Sequence, residues 1–224
     1  MRAKNFRREN VGFSAKLTLV WIFLALTILQ ARATPKDAIL TLSPDQITIH
    51  SEIYIYGAEA TNDVAKTYQE SILAYWSKDY KGRDWKVTDP KTRRNYTVAF
   101  DVHVSVFNEK ERATSFFIFD NLNPSSRKNY IRVSEVCRGR FRSHVSMYGD
   151  TGVWCAGGPP SVIAHEYGHL LGLIDRYHSV RDHNELDHGW ESNLMADGMG
   201  GEVEQRNIDA ALQETIRRLN PQEQ

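Results

Sequence analysis

The sequence predicts an α+β fold, a mixed and twisted β-sheet packed on helices, and three observations carry that reading. Two stretches, Ile47 to Tyr56 and Asn95 to Phe107, alternate in hydropathy with the period of a strand. Two others, Thr61 to Tyr80 and Val203 to Leu219, repeat apolar residues at helical spacing. The elements run strand, helix, several strands, helix, irregular segment, helix. Strands therefore cluster and do not alternate one-for-one with helices, which favours a mixed sheet. At 224 residues, 41% hydrophobic and 25% charged, the chain suits one domain with a sizeable core. It shows no internal repeat and no interdomain linker.

Each element has a local reason. Residues 34–45, with Pro35 and Pro44, read as a loose segment. Ile47, Ile49, Ile53 and Ile55 share one parity and define the first strand. Thr61 is placed to cap a helix running to about Tyr80, whose apolar stripe is Val64, Tyr68, Ile72, Tyr75 and Trp76. Aromatic residues on such a stripe are read as core. Trp85 to Val87 begins a short strand. In Asn95 to Phe107, Val98, Phe100, Val102 and Val104 alternate with Ala99, Asp101, His103 and Ser105, and His103 is read as structural. Ser115 to Phe119 is a short aromatic run and Asn121 to Lys128 a polar loop. Tyr130 to Val136 reads as a strand, and Val145 to Trp154 as one or two short ones. Pro159, Pro160 and Ser161 open a helix, where a missing amide donor costs little. Residues 176–201 show little periodicity. The last helix buries Ile208, Leu212, Ile216 and Leu219.

The first 33 residues carry a different message. Arg2, Lys4, Arg7, Arg8 and Lys16 precede a mostly apolar run of 13 residues, Leu17 to Leu29, and Ala31-Arg32-Ala33 supplies small residues for cleavage before Thr34. This is the pattern of a secretory signal peptide. The run is short beside the about 20 residues that span a bilayer, although an uncleaved N-terminal anchor is the alternative. We expect residues 34–224 to form the functional domain, exported to a periplasmic or extracellular compartment. Removing six basic and one acidic group from 28 of each leaves 22 basic against 27 acidic residues, net −5. Such a chain has no basic footprint for nucleic acid, and no other apolar stretch is long enough to span a membrane. We expect a monomer. In an exported chain the two cysteines, Cys137 and Cys155, are expected to pair. The closed loop contributes roughly 3 kcal/mol. Cys155 as an inhibitory metal ligand just before the next helix is the alternative.

The stretch from His165 to Asp175 reads HEYGHLLGLID. His165 and His169 lie four apart, so a helix projects both from one face toward one metal ion. Glu166 stands beside them, where a carboxylate can take a proton from an activated water. The apolar flanks, Val162 to Ala164 and Leu170 to Leu173, mark a packed helix, in which histidines need partners. Gly172 can end the helix and turn the chain back, and Asp175 follows as an oxygen donor. Two imidazoles and a carboxylate suit one Zn²⁺ ion with an open position. His178, His183, His188 and Glu191 follow in the next loop, and His178 or His188 is the alternative third ligand. The pattern points to metal-assisted hydrolysis of a peptide bond.

These residues resemble the metzincin zinc peptidases, whose pattern HExxHxxGxx ends in histidine or, in the snapalysin-like branch, aspartate. The resemblance is strong over roughly residues 160–197. It extends to Ser192-Asn193-Leu194-Met195-Ala196-Asp197, placed where metzincins have a methionine turn under the metal. More weakly, Gly189 to Asp197 followed by Gln205 to Asp209 is similar to metallopeptidase domains of bacterial secreted or toxin-type proteins. The chain departs from the commonest pattern in having Asp175 for the third histidine, and it has no tyrosine two residues after Met195. The resemblance implies an upper sheet subdomain and a smaller lower one with the cleft between, His165, His169 and Asp175 as zinc ligands, and Glu166 as catalytic base. It also implies that Met195 forms an apolar floor and that a peptide or protein substrate lies extended along an edge strand. Tyr130 to Val136 is our candidate for that edge. The glycine-rich run Asp197 to Gly201 can shape the pocket or simply connect to the last helix. Two other readings are a secreted effector or toxin peptidase with one partner, and a zinc-binding protein that keeps the fold without turnover.

Overall fold

A computed structural model describes residues 38–107, 128–135, 143–146, 151–180 and 183–219. In chain order the described elements are β1 (Ala38–Leu42), β2 (Gln46–Tyr56), α1 (Asn62–Trp76), β3 (Trp85–Thr88), β4 (Asn95–Val106), β5 (Lys128–Ser134) and β6 (His144–Val145). They continue with β7 (Thr151–Cys155), α2 (Pro160–Leu170), β8 (Tyr177–Val180), β9 (His183–Leu186) and α3 (Gln205–Leu219). The fold is α+β, as expected. Seven strands form one sheet in the order β3-β4-β2-β5-β7-β6, with β1 added against β2. The sheet is mixed: β2 runs parallel to β4 and β5, and β5 parallel to β7, whereas β1, β3 and β6 are antiparallel to their neighbours.

The β2 strand organises the sheet. Its residues Gln46–Ile55 pair with β4 along one edge, and the other edge is divided between β1 at Ile47–Ser51 and β5 at Glu52–Tyr56. Register carries the apolar parity from strand to strand. Ile47, Ile53 and Ile55 lie opposite Val98, Val104 and Val106 on β4. Ile55 lies opposite Ile131 on β5, and Val133 opposite Trp154 on β7. That face is the core, with Ile53, Ile55, Ile131 and Trp154 all at 0% exposure. The opposite parity places His50, Glu52, Asp101 and His103 on the other face, where Glu52, Asp101 and His103 are exposed. His103 is thus a face residue remote from the motif, and His50 bridges Asp101 Oδ2 at 2.8 Å and Thr41 Oγ1 at 3.0 Å.

Three expectations are corrected. Residues 38–42 are a strand, because Leu40 and Leu42 can pair across β2 and the prolines fall outside the pairing. The α1 helix begins at the expected cap, with Thr61 Oγ1 accepting from the Val64 amide at 3.2 Å, but stops at Trp76. Beyond it Asp79 accepts the amides of Lys81 and Arg83 and forms a turn. Residues 177–186, read as irregular, form a β8–β9 hairpin. The expected boundaries hold within a few residues for β2, β3, β4, β5, α2 and α3. Val203 is buried but precedes the last helix, and Ile208 and Leu212 are buried in it. The signal segment, the 115–119 run and Cys137 lie outside the described residues. No helix among the described residues is long and apolar enough to cross a membrane.

Aromatic side chains fix α2 to the layers around it. Tyr167, fully buried, meets Ser51 Oγ on β2 at 2.8 Å. The Trp76 indole nitrogen at the end of α1 donates to Ala164 O at 2.9 Å, and Trp76 and Tyr167 meet edge to face. The helix that carries the motif is therefore held by one hydrogen-bonded side chain from β2 and one from α1.

Candidate metal centre

Pro160 occupies the first turn of α2, and the last turn ends in a left-handed glycine. Gly172 has φ +86°, its amide donates to His169 O at 2.9 Å, and the Leu173 amide donates to Gly168 O at 3.0 Å. This pair of bonds is a Schellman closure, which needs the conformation that glycine adopts without strain. It reverses the chain and returns Asp175 to the face carrying the two histidines.

The three expected ligands meet. Asp175 Oδ1 lies 3.2 Å from His165 Nε2 and 3.3 Å from His169 Nε2. The donor atoms of this group all lie within 4.8 Å of one another, and it is the one such group among the described residues. Each imidazole is oriented from behind. His165 Nδ1 donates to Leu194 O at 2.7 Å and His169 Nδ1 donates to Leu173 O at 2.9 Å. With both Nδ1 atoms so engaged, both Nε2 atoms face the common site, the arrangement that metal-binding histidines adopt. Burial works to raise the Asp175 carboxyl, but the hydrogen bonds from His165 and His169 overcome it and hold Asp175 well below the ordinary carboxylate range. For His169, burial works downward and the Asp175 carboxylate more than offsets it, so its pKa is raised. Without a cation, His169 and Asp175 stabilise each other's charge.

The alternative third ligands lie elsewhere. His178 is exposed on β8, with Nε2 3.2 Å from Asp187 Oδ1. His188 and Glu191 are exposed, and Glu191 accepts the Gly189 amide. The His183 side chain lies outside the described residues.

Glu166 is 5% exposed, and its Oε2 has no hydrogen-bond partner among the described residues. Burial raises its carboxyl above the usual range, opposed by His169 and His165. An unpartnered carboxylate oxygen in a closed site is costly unless something is meant to meet it.

Met195 sits under the helix at 1% exposure. A Cβ on Gly168 would stand closer than 3.0 Å to the Met195 sulfur, so the glycine within the motif is what allows the thioether so close to the helix backbone. Two residues to which sequence reading assigned no role build this turn. Asn193 Oδ1 accepts the Met195 amide at 2.9 Å, and its Nδ2 donates to Asn207 Oδ1 at 2.8 Å. Asn207 on α3 returns a bond to Asn193 Oδ1 at 3.1 Å and accepts the Glu204 amide at 2.8 Å. Both asparagines are buried. Their only sequence signal was membership of the two short stretches similar to metallopeptidase domains. Because Leu194 O holds His165, the turn supports the centre directly.

The expected edge strand is corrected. The β5 strand pairs with β2 on one side and β7 on the other, so it is interior. The strand that ends the sheet on the side of α2 is β6, packed against that helix. No family model matches the sequence, and no curated protein matches it.

Proposed function

We propose that this chain is a zinc-dependent endopeptidase, exported by its first 33 residues, with His165, His169 and Asp175 holding one Zn²⁺ and Glu166 acting as general base. One observation carries the reading: two imidazole Nε2 atoms, each set by an Nδ1 bond to a backbone carbonyl, converge with a carboxylate beside a buried glutamate, one oxygen of which has no partner among the described residues. Two nitrogens and one oxygen are the donor set of a catalytic, not a structural, zinc site. The metzincin resemblance with aspartate as third ligand agrees with this set and with Met195 beneath the helix.

When bound, zinc polarises the scissile carbonyl and makes the attacking water more acidic. The remaining work falls to the chain. Glu166 takes the proton from the water as its oxygen attacks the carbonyl carbon, then gives that proton to the departing amine. The raised Glu166 carboxyl suits both halves of that exchange. A peptide or protein substrate lies extended along an edge of the sheet, for which β6, the edge strand packed against α2, is the candidate.

Elemental analysis and a peptide-library assay of purified protein beginning near Thr34 test the proposal. We expect one zinc per chain, chelator-sensitive cleavage, and a Glu166→Ala variant that keeps zinc and loses turnover. Zinc bound with no cleavage by wild type would leave a non-catalytic zinc protein, or a peptidase restricted to one partner. Absence of both zinc and chelator-sensitive activity overturns the proposal.

A further inference from the structure

Asp175 is the least restrained member of the cluster. Its side chain is 39% exposed, and no helix or strand contains it. On its N-terminal side Gly172 sets the chain direction. On its C-terminal side everything depends on Arg176. The Arg176 amide donates to Met195 O at 2.8 Å and its carbonyl accepts the Asp187 amide at 2.8 Å. Its guanidinium carbon lies 4.3 Å from the Trp190 ring centroid. The same indole receives a second guanidinium, that of Arg206 on α3, at 3.9 Å.

Two cations on one indole need countercharge, and both have it. Arg206 Nε lies 2.6 Å from Glu204 Oε2, and the other oxygen of Glu204 accepts from Ser192 Oγ at 3.1 Å. Arg176 Nη1 is 4.0 Å from Asp187 Oδ2. Trp190 itself is fixed at the backbone, its amide donating to Asp187 O at 2.9 Å and its carbonyl accepting from Asn193 at 2.8 Å. The indole thus ties three things together: the residue next to the third ligand, the base of the β8–β9 hairpin, and the first turn of α3. A cation–π contact on this half-buried indole fixes the Arg176 side chain and adds to the two backbone hydrogen bonds that Arg176 makes, and ligand position in such a site is set by these outer contacts.

We propose that Trp190, through its contact with Arg176, is the positioning residue that fixes Asp175 against His165 and His169. The proposal rests on the metal-site reading above, and goes beyond it by assigning the third ligand's placement to an aromatic residue 15 positions downstream.

The test uses full-length mature protein. Trp190→Leu keeps an apolar side chain and removes the π face, whereas Trp190→Phe keeps a π face. Two readouts apply, neither of them activity. In metal-free protein, imidazole ¹⁵N and ¹H NMR signals of His165 and His169 report their contact with the Asp175 carboxylate. In loaded protein, zinc affinity and the visible absorption of the Co²⁺ form report the completed ligand set. We expect Trp190→Leu to disturb both imidazole signals and to lower zinc affinity by about 10- to 100-fold, with Trp190→Phe restoring most of the loss. A folded Trp190→Leu protein with unchanged imidazole signals, zinc affinity and cobalt spectrum overturns the proposal. Should Trp190→Leu fail to fold, Arg176→Met, a change at a half-buried side chain, removes the cation from the proposed contact and is read the same way. If wild type binds no zinc the functional proposal fails by itself, and the metal-free NMR arm still decides this one.

Discussion

Gly168→Ala isolates the packing of the methionine turn against the motif helix. Alanine is the better helix former, and in an open helix the change would stabilise by about 1 kcal/mol. Here the new methyl meets three atoms: the Met195 sulfur closer than 3.0 Å, Met195 Cε at 3.1 Å and Trp76 Cζ2 at 3.2 Å. Neither neighbour can move away easily. Met195 is 1% exposed, and Trp76 is fully buried with its indole nitrogen bonded to Ala164 O of the same helix. Inserting a methyl into packing costs about 1–3 kcal/mol, and between two neighbours held this firmly the upper part of that range, about 2–3 kcal/mol, applies, so after the propensity gain the net expectation is a loss of about 1–2 kcal/mol. For a domain of this size each kcal/mol moves Tm by about 2–4 °C, a fall of about 2–8 °C. Urea and thermal denaturation of the metal-free protein measure it. Because Leu194, next to Met195, holds His165, zinc affinity should fall as well. A variant as stable as wild type, or more so, would refute the close approach and with it the placement of Met195.

Three further outcomes are expected. Gly201→Ala should cost more than Gly168→Ala, about 3 kcal/mol, since the atoms within 3.0 Å are the Asn193 and Asp197 backbone and cannot rotate aside; denaturation of the two variants side by side gives the order. Asp175→Ala should weaken zinc binding by about 100-fold or more, beyond what loss of an outer contact costs, while His178→Ala and His188→Ala bind as wild type; isothermal titration of the three decides which residue is the ligand. Exported protein should begin near Thr34 and carry a Cys137–Cys155 disulfide, so intact mass should rise by two hydrogens on reduction, and two free thiols would count against the pairing.

Much of the fold was legible because burial imprints periodicity. The isoleucines of β2 and the valines of β4 alternate in sequence because one face of each strand is core, and register merely extends that parity across the sheet. Where side chains do not alternate in burial, nothing was readable. The β8–β9 hairpin has one directly apolar pair, Tyr177 with Leu186, followed by His178 with Glu185 and Ser179 with Asn184, so no alternation marks it, and the bond from the Asp187 amide to the Arg176 carbonyl closes its base. Which strand lies at an edge was also hidden. Tyr130 to Val136 looks the same to a periodicity argument whether one flank is paired or both, since pairing involves backbone groups that every residue supplies.

The site divides along the same line. His165, Glu166, His169 and Gly172 lie within two helical turns, so their geometry follows from local rules: i to i+4 on one face, then a left-handed glycine. Asp175 was nameable because it is only three residues beyond that turn. What makes the three donors converge is not local. The Leu194 carbonyl behind His165 comes from 29 positions away, and its own position depends on Asn193, Asn207 and Glu202. A carbonyl oxygen carries no residue identity, so no motif can encode the bond. Only the residues that fold the turn can be selected, and one of them, Asn207, stands on a different helix. The motif specifies which atoms are able to bind a metal, whereas the turn from Trp190 to Gly201 and the start of α3 specify whether those atoms point the same way. A designed helix bearing only HEYGHLLGLID would on this reasoning place the two histidines on one face, yet leave each free to rotate about χ1 and χ2 and bind zinc far more weakly than the whole chain.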